Sequence, residues 1–297
     1  MSTLKDLISL GQLIKTEFFP VRFQTILKGL SHPVILDVED PNIPWELIHD
    51  GQQFTFLKVA LGKRLITAEE HKENIPSKNK RLRILIVGVS ETKVEGFTSL
   101  PTVEHEVELL QELFAQMPQV EDLTEDDVLF GKNAKESAFI ERLVSGVYDV
   151  IHFSGHAYFN EESPELSALI LNDHAFTVND IKRKVEGKPL VFLNACVSGV
   201  YQRVESDIGY IGSFTVGLAS AFIIGGALAS IGTLMNVTDS YASEFALAFY
   251  KNALSGEALG DSLKRSRQKL KDLYPDNLVW ASYMLFGDPT IRLKSQE

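Results

Sequence analysis

Cys196 and His156 are the residues whose types and placement suggest chemistry. Cys196 closes the apolar run Pro189-Leu190-Val191-Phe192-Leu193-Asn194-Ala195-Cys196, and Val197-Ser198-Gly199 follows it. His156 closes Tyr148-Asp149-Val150-Ile151-His152-Phe153-Ser154-Gly155-His156. A thiolate is a strong nucleophile and imidazole titrates near neutrality, so the two together suit a cysteine nucleophile with its general base. A lone cysteine after an apolar strand is more often an inert buried thiol. The neighbouring Ser-Gly turn moves Cys196 toward a cleft. His152 lies mid-strand and reads as a core histidine satisfied by hydrogen bonds, which leaves His156, next to Gly155, as the expected base.

Other chemistries fit the sequence poorly. It contains no G-x-x-x-x-G-K-[ST] loop, no H-E-x-x-H and no G-x-S-x-G elbow. The strand Arg83–Ser90 is followed by Glu91-Thr92 and by no G-x-G-x-x-G cradle. The seven histidines are scattered without metal-ligand spacing. No cofactor is expected. Glu161-Glu162 sits in a polar loop and reads as a solvated pair.

The two runs that carry His156 and Cys196 are short, β-branched or aromatic, and nearly uncharged, as in strands covered on both faces of a parallel sheet. Ligands bind beyond the carboxyl ends of such strands. The residues are 196 − 156 = 40 positions apart, room for one crossover. Further strands are expected at Val34–Val38, Phe54–Val59, Arg64–Thr67, Arg83–Ser90, Val128–Phe130, Ser167–Asn172, Ala227–Val237 and Asn277–Phe286. Gly62-Lys63 marks a hairpin turn. Helices are expected over Leu4–Phe19, Thr102–Met117 with Val103, Val107, Leu110, Leu113 and Phe114 on one face, Ala134–Ser145, Asn179–Lys184, Ser213–Ile224, 239/240–254 and Ala258–Leu273. Strands alternating with helices predict a doubly wound, mostly parallel α/β sheet with helices on both faces. The polar stretch Glu69–Lys80 is the linker candidate, dividing an N-terminal subdomain (1–80) from the main core (81–297).

Composition bounds the partners. With 44% hydrophobic residues among 297, a substantial core is affordable, and a net charge of −11 argues against a general nucleic-acid binder. One cysteine rules out an intrachain disulfide and fits a reducing, cytoplasmic setting. Ile208–Thr238 holds no charge, but Gly212, Gly217, Gly225, Gly226 and Gly232 interrupt it. It reads as a buried helix followed by a buried strand, with no membrane span.

Several blocks resemble one family. They are Ile43-Pro44-Trp45-Glu46-Leu47, Leu100-Pro101 with Glu104 and Glu106, Val150 to His156, and Leu193-Asn194-Ala195-Cys196. Ala229-Ser230-Ile231-Gly232-Thr233, Asn236-Val237-Thr238-Asp239 and Gly287-Asp288-Pro289 complete the set. Together, from about Leu10 to Leu293, they resemble the CHAT domain family of the caspase and separase superfamily of cysteine peptidases. The resemblance implies a caspase-like fold and a dyad carried onto His156 and Cys196. Two positions depart from it: Ala157 stands where many relatives have Gly, and Met235 where many have Trp.

The implied activity is a cysteine endopeptidase acting on a protein substrate. The Cys196 N–H, with one from Gly155 or Ala157, is the expected oxyanion site. No sensor module accompanies the domain, so a regulator is expected in trans. No cleavage within Val197–Gly212 is expected to be needed. Relatives such as separase cleave after Arg, which makes Asp239 a candidate for binding a basic substrate residue. Asp239 as a helix N-cap is an equal reading, and Arg203 or Met235 would favour acidic or apolar residues instead. The alternatives to a peptidase are a catalytically silent CHAT-type binding or scaffold module and a flavodoxin-like binding domain.

Overall fold

The structure is a computed structural model of the 297-residue chain. It describes residues 3–40, 43–76, 78–160, 162–197, 213–235 and 239–293, with the backbone alone at 196–197, 213–216 and 239.

The N-terminal region contains α1 (Leu4–Phe18), α2 (Val21–Gly29), β1 (Val34–Val38), α3 (Thr55–Lys58) and β2 (Leu61–Leu65). An extended strap then leads to β3 (Ile84–Gly88), α4 (Thr102–Ala115), β4 (Val128–Phe130), α5 (Glu136–Ser145) and β5 (Val150–Tyr158). After β5 come β6 (Ala168–Ile170), β7 (Ala175–Thr177), α6 (Val178–Lys184) and β8 (Leu190–Val197). The C-terminal part contributes α7 (Ser213–Ile224), β9 (Ala229–Thr233), α8 (Asp239–Leu254), α9 (Leu259–Leu273) and β10 (Tyr283–Phe286).

One sheet runs through the molecule in the order β1-β2-β10-β9-β8-β5-β3-β4. All neighbours on this path are parallel except β9 and β10. β6 and β7 form an antiparallel extension beside the end of β5. From β3 the chain winds outward to β4, then returns to the other side of β3 as β5, β8 and β9. The reversal falls between β3 and β5, where a doubly wound sheet opens a crevice at its carboxyl edge. Helices cover both faces, α4, α8 and α9 on one and α5, α6 and α7 on the other, so β3 and β9 are buried throughout. Among the described residues, no helix is long and apolar enough to cross a membrane.

Two local expectations are corrected. Phe54–Val59 forms no strand: it holds the short helix α3, which buries Phe56 beside Trp280 at a ring distance of 6.1 Å. Tertiary packing overrides the β preference of its residue types there. Gly62-Lys63 makes no hairpin turn but lies inside β2, which pairs in parallel with β1. The glycine is needed for another reason: a Cβ at Gly62 would stand 2.3 Å from the Gly287 carbonyl oxygen. Two strands are also shorter than expected. β9 ends at Thr233, and the segment before β10 is a 3-10 turn, Leu278–Ala281, closed by the Asn277 side chain on Val279 N–H.

Residues 69–74 of the strap are tied to the core. Lys72 bonds the Val185 carbonyl and Glu186, and Asn74 bonds the Val185 and Gly225 carbonyls. Lys182 completes the attachment by pairing with Glu69.

Candidate active site

His156 lies on β5 and Cys196 on β8, and the parallel register sets them directly opposite each other. Adjacent strands are about 4.8 Å apart, so the register alone brings these two backbones together. β5 runs two residues past His156, because Ala157 and Tyr158 also pair with Leu169 and Ala168 of β6. Gly155 and Ala157 therefore lie within the ladder, opposite Ala195 and Val197.

The His156 side chain is buried, and its Nε2 lies 2.6 Å from the Thr98 carbonyl oxygen. A carbonyl only accepts hydrogen bonds, so this contact holds the proton on Nε2 and makes Nδ1 the basic nitrogen. The Phe97 ring stands 5.3 Å from the imidazole. Phe97 and Thr98 belong to the loop after β3, at the topological switch point. No pattern in the sequence marks them, because the contact is made by a main-chain atom.

Beneath this pair lies a buried polar network. Glu106 of α4 accepts hydrogen bonds from Ser154 Oγ at 2.6 Å, Asn194 Nδ2 at 2.5 Å and His152 Nε2 at 3.1 Å. Tyr283 Oη donates to Asn194 Oδ1 at 2.6 Å. The Tyr250 hydroxyl lies 3.2 Å from His152 Nδ1. Burial first, and then the Glu106 carboxylate, push the Tyr250 hydroxyl well above its ordinary range. It stays protonated and donates to His152. Both ring nitrogens of His152 are thus engaged, and its ring stacks on Phe192 at 5.4 Å.

The chain builds this network from ordinary elements. α4 follows Pro101, whose fixed φ suits a helix start, and it buries Val103, Val107, Leu110 and Phe114 against the sheet. Glu106 stands three residues after Val103 and four before Leu110, on the same apolar face. That carboxylate in an apolar stripe is the signal that would have singled out Glu106 from the sequence.

The remaining expectations fall partly outside the described residues. The Cys196 and Asp239 side chains lie outside them, as do Arg203 and residues 198–212; Asp239 is the first residue of α8, and Met235 is half-buried. Among the described residues, no three His, Cys, Asp or Glu side chains are grouped to hold a metal ion.

A family model described as the CHAT domain matches residues 20–288. No curated protein matches the chain. Among solved structures, the chain is similar to the Arg-specific cysteine proteinase gingipain R, at 14% identity and a TM-score of 0.59, over 99% of this chain and 69% of that one. It is also similar to the complex of gingipain pro- and mature domains from Porphyromonas gingivalis, at 14% identity and 0.55, over 99% and 70%. Caspase-1 from Spodoptera frugiperda gives 11% identity and 0.44, over 78% and 100%. The chain shares its caspase-like α/β fold with gingipain R. Matched along most of its length, the chain belongs to the CHAT domain family.

Proposed function

We propose that the chain is a cysteine endopeptidase in which Cys196 is the nucleophile and His156 the general base and acid. The observation that carries this reading is the register of His156 opposite Cys196, with the imidazole held by the Thr98 carbonyl. With Nε2–H committed to Thr98, Nδ1 takes the thiol proton. Cys196 Sγ then attacks the peptide carbonyl carbon, forming the C–S bond and a tetrahedral oxyanion. The Cys196 N–H, with one from Gly155 or Ala157, stabilises that oxyanion, and each such donor is typically worth about 3 kcal/mol in the transition state. The C–N bond breaks as Nδ1 delivers its proton to the leaving amine. Water, deprotonated by the same nitrogen, hydrolyses the thioester.

The substrate in this reading is a protein, and control comes from a separate regulatory protein. Asp239, at the start of the helix after β9, would pair with Arg or Lys before the cut, bidentate for Arg. Gingipain R, of similar fold, is named as Arg-specific. No obligatory cleavage within residues 197–212 is part of the mechanism.

The test is hydrolysis of a peptide library, with and without candidate partner proteins, alongside labelling by a thiol electrophile. Turnover and rapid labelling are expected for the wild type, and Cys196→Ala and His156→Ala should each abolish turnover. A preference for a basic residue should weaken in Asp239→Asn; a preference for acidic or apolar residues overturns that pocket. An intact active chain by mass spectrometry is expected. If Cys196 labels no faster than free cysteine, the chain is instead a binding module on a peptidase fold.

A further inference from the structure

Glu106 is a buried carboxylate without a cation: among the described residues it ion-pairs with no Lys or Arg, and its one such neighbour is His152. Burying a charge this way is costly unless several hydrogen bonds compensate it. Here three donors do so, from Ser154, Asn194 and His152. Two of these hold a particular place. Ser154 and Asn194 are themselves register partners, and each stands two residues before His156 and Cys196 respectively. One carboxylate therefore bridges β5 to β8 about 7 Å along the strands from the candidate dyad, the rise of two residues. Asn194 in turn is held from the other side by Tyr283 of β10.

The ladder sets which residues stand opposite each other, and catalysis is lost steeply when reacting groups move by an ångström. We propose that Glu106 is a positioning residue for the dyad, fixing the level at which His156 meets Cys196 through its bonds to Ser154 and Asn194. This rests on the reading of His156 and Cys196 as a reacting pair. Glu106 acts through the two strands.

The carboxylate also carries a charge, and this gives the role a signature that packing alone would not. A buried negative charge raises the proton affinity of every group near it. The titratable side chains joined to Glu106 are His152 of β5 directly, Tyr250 of α8 through His152, and Tyr283 of β10 through Asn194. Tyr250 remains protonated, so Glu106 is the anion of the set. Replacing it by glutamine removes that negative charge, and the reactivity profile moves to lower pH.

Cys196 is the sole cysteine of the chain, so alkylation by iodoacetamide reads this site without background. The experiment measures, for the full chain, the alkylation rate against pH and the turnover of a peptide library, in the wild type, Glu106→Gln, Ser154→Ala and Glu104→Gln. Glu104 lies on the exposed side of the same helix and is the control. Glu106→Gln is expected to move the alkylation profile to lower pH, raising the rate on its acid limb, and to slow peptide turnover about tenfold through lost positioning. Ser154→Ala, which keeps the charge and removes one strand contact, should slow turnover severalfold without moving the profile. Glu104→Gln should change neither. If Glu106→Gln fails to fold, the Ser154→Ala rate decides alone. Wild-type rates and midpoints in the folded variants overturn the proposal while the dyad stands. A wild-type Cys196 no faster than free cysteine removes the dyad and the proposal together.

Discussion

Thr98 reaches His156 through its main chain, so the contact does not depend on the Thr98 side chain. Thr98→Ala is expected to keep the wild-type rate within about twofold, while Phe97→Ala, which removes the ring beside the imidazole, should lower kcat about tenfold through looser orientation. Peptide turnover measures both, and a Thr98→Ala enzyme as impaired as His156→Ala would refute the tautomer argument. The two histidines of β5 separate in the same way. His152→Ala breaks bonds to Glu106 and Tyr250 and empties a site stacked on Phe192, so it should cost about 2–4 kcal/mol of stability. Urea denaturation reads that loss, and His156→Ala should unfold close to the wild-type midpoint.

At this scale the sequence was legible where one residue type stood in a definite place. His152 as a hydrogen-bonded core residue follows from its mid-strand position and is what the contacts show. Thr98 was not legible, because any residue supplies a carbonyl. Glu106 was half legible: its motif was visible, but its buried face emerges only when the helical phase of Val103, Val107 and Leu110 is counted through it.

At the scale of elements, α4 is set on the sheet by a missing side chain. A Cβ at Gly88 would lie 2.5 Å from Val107 Cγ2, so the helix approaches β3 as closely as glycine permits. Gly88→Ala is expected to cost about 1–3 kcal/mol through overpacking, and Val107→Ala to recover part of it. A double-mutant cycle in urea measures this, and strict additivity would show that the contact is not shared. The start of β4 is fixed electrostatically. Burial opposes the charge of Asp127, but the Thr124 hydroxyl and N–H, at 2.6 and 2.9 Å, and Arg83 at 3.1 Å hold its carboxyl below the usual range. A depressed carboxyl stabilises the fold above its unfolded pKa, and the contribution is lost as pH falls through the folded value. Wild-type stability should therefore decline below about pH 4 more steeply than that of Asp127→Asn. Equal acid slopes in the two proteins would exclude this anchor.

The elements themselves show why some strands were read well. β3, β5 and β8 are apolar runs buried by the sheet, and hydrophobic pattern locates such segments. α3 and β2 were misread because Phe56 and Gly62 answer to Trp280 and Gly287, more than 200 residues away (280 − 56 = 224 and 287 − 62 = 225). No local window contains those partners.

Across the whole molecule, a buried ion pair stands where residues 1–80 meet the rest. Lys63 Nζ of β2 lies 3.0 Å from Glu46 Oε1, both buried, and the Lys63 ammonium sits 4.7 Å over the Phe286 ring of β10. Arg267 of α9 is buried nearby, over Phe56 at 4.8 Å and bonded to the Tyr283 carbonyl; burial lowers its pKa to about 10, with Glu46 opposing the shift. Glu46→Gln leaves these cations without their counter-charge and should cost about 3–5 kcal/mol. Replacing Glu46 and Lys63 together by methionine should cost less, since Arg267 is then the one cation deprived of the Glu46 charge. Equal losses in the single and double variants would mean that the pair acts only by its shape.

Strand order also sets a timetable for synthesis. Within the sheet β2 has two neighbours, β1 and β10, and β10 begins 283 − 65 = 218 residues after β2 ends. At about 5–20 residues per second, the ribosome releases the β1–β2 pair about 10–45 seconds before its partner exists. A two-stranded ribbon is marginal alone in water, so this segment waits unlatched while β3, β5 and β8 assemble behind it. The last strand made is the one that docks the first. A nascent chain stalled before Tyr283 should therefore expose residues 34–65 to protease while the centre of the sheet is already protected.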